Sequence, residues 1–107
     1  MTSFKDREEA FESKYKHDEE VRFKTIARRN KLFGLWAAQQ LGLAGGDAQQ
    51  YAREVVQADM KMPGDADVIE KVKTDLDGAG LEGMSEHRLY KRLGECFEEA
   101  KQQVMQE

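Results

Sequence analysis

The sequence predicts an all-α protein, a small four-helix bundle with a mobile or extended helical segment at its N-terminus. Every strong apolar periodicity repeats at three or four residues, and no alternation typical of a strand occurs. Stretches rich in glycine or proline divide the pattern into four helical segments joined by short loops. A chain of 107 residues suits a single core. We therefore expect residues 1–18 to form a separate N-terminal segment and residues 19–107 to form the bundle.

The first helix of the predicted bundle has a wide apolar face, on which Asn30 and Gly34 also fall. A glycine inside a helix costs about 1 kcal/mol in helix propensity relative to alanine. Gly34 is therefore interpreted as a point of close approach by another helix, and simple tolerance is the alternative. The apolar face consists of Phe23, Ile26, Ala27, Phe33, Ala37 and Leu41, and Leu32, Leu35 and Trp36 widen it.

Three further helices are predicted, each starting with a residue that can accept hydrogen bonds from free backbone amides. These N-cap residues are Asp47, Asp67 and Ser85. Glycines and the single proline mark the helix ends. The expected apolar faces are Tyr51, Ala52, Val55 and Val56, closed by Met60 or Met62; Val68, Ile69, Val72 and Leu76; and Leu89, Leu93, Cys96, Phe97, Ala100 and Val104.

The N-terminal segment is too charged to belong to a core, since eleven of the seventeen residues 4–20 carry a formal charge. No glycine or proline interrupts residues 3–33, and a helix would gather three aromatic residues within about 40° of one face. Such a stripe favours helix-in-groove binding, with nearby charges making charge-assisted contacts. The alternatives are aromatics that fold back onto the bundle, or a disordered tail. The candidate partner-binding residues are Phe4, Asp6, Arg7, Phe11, Lys14 and Tyr15.

A basic stripe of Lys24, Arg28 and Lys31 is the second candidate surface. Residues 1–31 hold nine basic and seven acidic residues, a charge of +2, whereas the rest hold eight and fourteen, a charge of −6. Basic clusters are common on solvated helices, and no aromatic residues interleave with this one to stack on bases. We favour a solvated face, then contact with an acidic protein patch, and last a small nucleotide-binding or nucleic-acid-binding regulator.

The sequence gives little support for catalysis, cofactors or metal binding. It lacks the glycine-lysine phosphate loop, the dinucleotide glycine motif, the His-Glu-x-x-His motif and paired cysteines. Cys96 is alone and is expected to be a buried thiol. No apolar run approaches the roughly 18 residues of a membrane span, and the start of the sequence shows no basic-then-apolar pattern typical of a leader. We therefore expect a soluble cytoplasmic protein that is not an enzyme.

Several stretches of the chain resemble one known family, the zeta subunit, which inhibits the F-type ATP synthase of alphaproteobacteria. The resemblance covers essentially the whole chain, and its first two stretches are long and unusual in composition. The stretches are DREEAFESKYKHDEE, ARRNKLFGLWAA, LGL, YAREVV and GDADVIEKV.

This resemblance implies a four-helix inhibitor whose mobile N-terminal segment enters an alpha/beta catalytic interface of the synthase head near the gamma subunit. It would block ATP hydrolysis by opposing rotation in the hydrolytic direction. The inhibitory segment then corresponds to about residues 2–18, which include all six candidate partner-binding residues. The protein would be peripheral to the inner membrane through the synthase, without direct insertion. Whether ARRNK and Trp36 contact the synthase or shape the bundle is left open.

Overall fold

Four α-helices and no strand make up the described part of the protein. The computed structural model describes the backbone of residues 4–61 and 64–107, and the side chains of residues 17–59 and 64–107. The predicted all-α four-helix class, with an extended helical segment at the N-terminus, is confirmed. The helices are α1 (Phe4–Gln40), α2 (Gly45–Lys61), α3 (Asp65–Gly78) and α4 (Glu86–Met105).

Helix α1 is much longer than the bundle to which it belongs. Its 37 residues span about 55 Å at 1.5 Å per residue, and the molecule measures 66 × 25 × 22 Å. Residues 17–24 are all exposed, and the first buried side chain in the described part of α1 is Thr25. Helix α1 thus has a C-terminal half that packs in the bundle and an N-terminal half that continues beyond it.

The core lies around the C-terminal half of α1, which packs against all three other helices. Fully buried side chains come from every helix, as the apolar periodicity predicted. The core cluster consists of Phe33, Ala37, Ala38, Tyr51, Val55, Val68, Ile69, Val72, Leu76, Leu89, Leu93 and Cys96.

Among the described side chains, two that were predicted to face the core do not; Met60 and Met62 lie outside the described side chains. Phe23 is 68% exposed because it precedes Thr25, where α1 first becomes buried. Phe97 is 36% exposed because it lies about 100° around α4 from Cys96, at the edge of the buried face. The apolar periodicity thus predicted the helices correctly, but it placed the edges of their buried faces too far out at these two residues.

Gly34 is a point of close approach between α1 and α2, as interpreted from the sequence. A Cβ atom at this position would lie 2.8 Å from Cα of Ala52 and 3.2 Å from Cβ of both Ala52 and Val55. A side chain of any size would therefore meet the backbone of α2. The glycine is required by packing and is not merely tolerated.

Glycines in the left-handed conformation end α1 and α3. Gly42 has φ 78°; its amide donates to the Gln39 carbonyl at 3.1 Å and the Leu43 amide donates to the Ala38 carbonyl at 2.9 Å. This pair of bonds is a Schellman motif, which needs a residue without a Cβ penalty at the turn. Gly80, with φ 82°, ends α3 by the same pattern of bonds.

One of the three predicted N-caps is correct. Ser85 accepts a hydrogen bond from the Arg88 amide at 3.2 Å and caps α4. The other two predictions are wrong, because α2 starts at Gly45 and α3 starts at Asp65. Asp47 and Asp67 lie instead in the first turns of α2 and α3, where a negative charge interacts favourably with the helix dipole.

Candidate partner-binding surface

The predicted partner-binding residues lie in the N-terminal half of α1, whose backbone is helical from Phe4 onward. The helical repeat of 100° per residue places the three aromatic positions on one face of that backbone. The six side chains lie outside the described ones, so their role stays a prediction. They are Phe4, Asp6, Arg7, Phe11, Lys14 and Tyr15.

The side chains that follow next in the described part of α1 are exposed to solvent. Residues 17–24 are all exposed, including Val21 and Phe23. A helical arm therefore leads out of the bundle.

Basic residues at the base of the arm are paired with the end of α4. The side chains of Lys24 and Arg28 both form salt bridges with the Glu107 carboxylate. Arg28 also donates to Oε1 of Gln103 at 2.9 Å. Hydrogen bonds from Lys24 and then Arg28 lower the pKa of the Glu107 carboxyl. Two of the three residues of the predicted basic stripe are thus used within the chain, and only Lys31 is exposed without such a pair among the described residues.

A polar network built on the ARRNK stretch holds three helices together. Arg29 and Asn30 are buried. The guanidinium of Arg29 lies 3.0 Å from Oδ1 of Asp65 and donates to Oδ1 of Asn30 at 3.0 and 3.1 Å. The Asn30 amide donates to Oδ2 of Asp59 at 3.0 Å, and the Gly64 amide donates to Oδ1 of the same carboxylate at 3.3 Å. This network ties α1 to the end of α2 and the start of α3.

Trp36 also contributes to the bundle. Its ring stacks on Phe33 with centroids 5.7 Å apart and an interplanar angle of 18°. The guanidinium of Arg92, on α4, lies 5.5 Å from the centroid of the indole, a distance at which a cation is attracted to the ring face. Arg29, Asn30 and Trp36 therefore contribute to the packing of the bundle.

Chemical sites of other kinds are few in the described residues. An open groove of about 420 Å³ lies between α1 and α2, and the basic side chains that line it are Lys31 and Arg53. Residues 17–59 and 64–107 contain no cluster of three His, Cys, Asp or Glu side chains able to hold a metal ion. Within the described helices, none is long and apolar enough to cross a bilayer.

Comparison with known proteins identifies the family. The profile of the family described as ATPase inhibitor subunit zeta matches residues 1–103. The chain belongs to this family. Membership in the zeta family supports an inhibitory role towards an ATPase and implies association with the ATP synthase. The resemblance seen in the sequence is thus confirmed.

One solved structure similar to this zeta-family chain was determined by solution NMR. The two chains are 43% identical and superpose with a TM-score of 0.70. The match covers 80% of this chain and 96% of the other. No curated protein matches the chain.

Proposed function

We propose that this protein inhibits ATP hydrolysis by the F-type ATP synthase and that residues 1–18 are its inhibitory segment. The segment inserts at an alpha/beta catalytic interface of the synthase head near gamma and blocks rotation in the hydrolytic direction. Residues 19–107 form the domain that carries it. The observation on which this proposal rests is the course of α1, which runs from Phe4 through exposed residues 17–24 into the core.

The free energy of docking favours a segment that is already helical. Three aromatic side chains that bury about 150 to 250 Å² each contribute roughly 11 to 19 kcal/mol of gross transfer free energy. Ordering eighteen residues from coil costs about 1 to 2 kcal/mol each, which is more than the rings supply. In α1 the helix is nucleated by its packed half, so the unfavourable first turn is already formed. Charged contacts by Asp6, Arg7 and Lys14 add to the binding.

Anchorage of the arm explains how binding would resist rotation. The helix that carries the arm also supplies Phe33, Ala37 and Ala38, which are fully buried. A force on the arm is therefore resisted by the packed bundle, including the Arg29 and Asn30 network, and not by a flexible tether. This arrangement suits a wedge between subunits that move relative to one another.

The proposed location follows from the proposed partner. The protein is cytoplasmic and peripheral to the inner membrane, where it is held by the alpha, beta and gamma subunits of the synthase head. It acts as a regulatory subunit without a catalytic centre or cofactor of its own.

ATP hydrolysis by membranes from the same organism tests the proposal. Three chains are compared: the full-length protein, a truncation lacking residues 1–18, and the triple variant Phe4→Ala, Phe11→Ala, Tyr15→Ala. We expect only the full-length protein to inhibit. Every core residue identified above follows residue 18, so the truncated bundle should fold, which circular dichroism and Trp36 fluorescence can verify.

The matched control changes exposed apolar residues on the same helix outside the segment, Val21→Ala with Phe23→Ala. This double variant should inhibit like the full-length protein. Inhibition by the folded truncated chain would refute the assignment of residues 1–18.

A further inference from the structure

Helix α4 carries an exposed apolar stripe in addition to its buried face. Tyr90, Phe97 and Met105 are 44%, 36% and 74% exposed. Gly94 lies between the two aromatic residues, and a Cβ atom added to it would meet nothing within 4 Å. At 100° per residue these four residues fall within about 80° of one another, about 100° away from the centre of the buried face. We call them the α4 stripe. The exposed Lys101 lies on the same face between Phe97 and Met105 and interrupts its apolar surface there.

The charged residues nearest Gly94 on α4 differ in sign on its two sides. The basic residues Arg88, Lys91 and Arg92 precede it and the acidic residues Glu95, Glu98 and Glu99 follow it, while Glu86 and Lys101 lie further out with the opposite signs. Arg92 and Glu95 pair with each other at 3.0 Å. Lys91 and Glu98 are exposed beside the stripe, and neither forms a salt bridge with another described residue.

We propose that the α4 stripe binds a second copy of this chain. Two α4 helices would pack antiparallel about a two-fold axis at Gly94. The midpoint in sequence between Tyr90 and Phe97, and that between Lys91 and Glu98, both fall next to residue 94. An antiparallel pair therefore brings Tyr90 of each copy against Phe97 of the other, and Lys91 against Glu98, so that each contact is made twice. Gly94 at the axis leaves space for the two backbones to approach.

Charge complementarity is the reason for choosing a second copy as the partner. Lys91 and Glu98 lie on the same flank of the stripe, within about 20° of each other. In an antiparallel pair the same flanks meet, so that each lysine faces a glutamate across both ends of the contact. In a parallel pair opposite flanks meet, so Lys91 and Glu98 of the two copies would lie on different sides of the contact and would not pair.

The expected dimer is weak. A pair of single helices buries an area at or below the lower end of stable interfaces, which is about 1,200 Å² in total. Association should therefore depend on concentration over the micromolar to millimolar range. It does not involve the inhibitory segment, so its failure would leave the proposed function untouched.

Sedimentation equilibrium of the full-length chain from about 10 μM to 1 mM tests this inference. We expect the weight-average mass to rise with concentration towards that of a dimer. Lys91→Glu or Glu98→Lys alone turns two attractive pairs into repulsive ones and should raise the dissociation constant about tenfold. The double variant Lys91→Glu, Glu98→Lys keeps the net charge, reverses each pair and should restore association.

Glu70→Lys, an exposed reversal on α3, is the control and should leave the dimer unchanged. A chain that stays monomeric up to 1 mM would overturn the proposal. So would a dimer in which the double variant fails to restore association, because another surface would then be responsible. If the protein is monomeric and Tyr90→Ala loses ATPase inhibition, the α4 stripe contacts the ATPase and not a second copy.

Discussion

Replacement of Gly34 by alanine should destabilise the bundle although it improves helix propensity. The added methyl group would lie 2.8 Å from the Ala52 backbone, which cannot move by a change of rotamer. Overpacking of this kind costs about 1 to 3 kcal/mol, and the backbone contact favours the upper part of that range. The gain in helix propensity is about 1 kcal/mol. The free energy of unfolding should therefore fall by about 1 to 2 kcal/mol.

Gly94→Ala is the matched control, because it makes the same chemical change inside a helix where nothing lies within 4 Å. It should stabilise the monomer by up to about 1 kcal/mol. Urea denaturation followed by circular dichroism at low micromolar concentration measures both variants without contribution from self-association. In thermal melts, 1 kcal/mol corresponds to about 4 to 8 °C for a domain of this size. If the Gly34→Ala variant were as stable as the Gly94→Ala variant, the conclusion that α1 and α2 approach closely at Gly34 would be refuted.

Two further predictions concern buried polar groups. Asn30→Ala removes the partner of both Arg29 and Asp59 and should lower the free energy of unfolding by about 1 to 3 kcal/mol in urea titrations; an unchanged midpoint would contradict the network. Burial, aided by the hydrogen bond to Asp75 at 2.8 Å, raises the pKa of Tyr51. The unfolded state loses this proton near pH 10 while the folded state keeps it, so stability should fall above pH 10, by at most about 1.4 kcal/mol per pH unit. Tyr51→Phe should remove that part of the pH dependence, which denaturation series between pH 9 and 11 would detect.

The sequence was most informative where a local pattern determines local structure. The period of Val68, Ile69, Val72 and Leu76 predicted the buried face of α3 correctly, since a short amphipathic helix has one apolar side to bury. The interpretation of Gly34 also held, because a glycine on an apolar face indicates limited space. The acidic residues of α2 and α3 misled the cap predictions, since carboxylates are favourable both at an N-cap and one turn inside it.

Features that depend on several helices could not be predicted in the same way. Asn30 was seen on the apolar face, but its hydrogen bond to Asp59 joins α1 to α2 and could be assigned only once the two helices were placed side by side. Likewise, the exposure of Phe23 depends on where the neighbouring helices end, and periodicity carries no information about that. In the N-terminal segment, the aromatic candidates were selected by helical register and the charged ones for charge-assisted contacts, and the role of all six stays a prediction.

The uninterrupted course of α1 fixes the direction in which its first half faces. Because residues 25–40 are held by the core, one residue inserted between Lys24 and Thr25 would turn everything before it by about 100° and advance it by 1.5 Å. Seven inserted residues would nearly recover the original heading, but at a reach longer by about 10.5 Å. The number of residues between the N-terminal half of α1 and the bundle thus sets both the direction in which that half faces and the distance to which it extends.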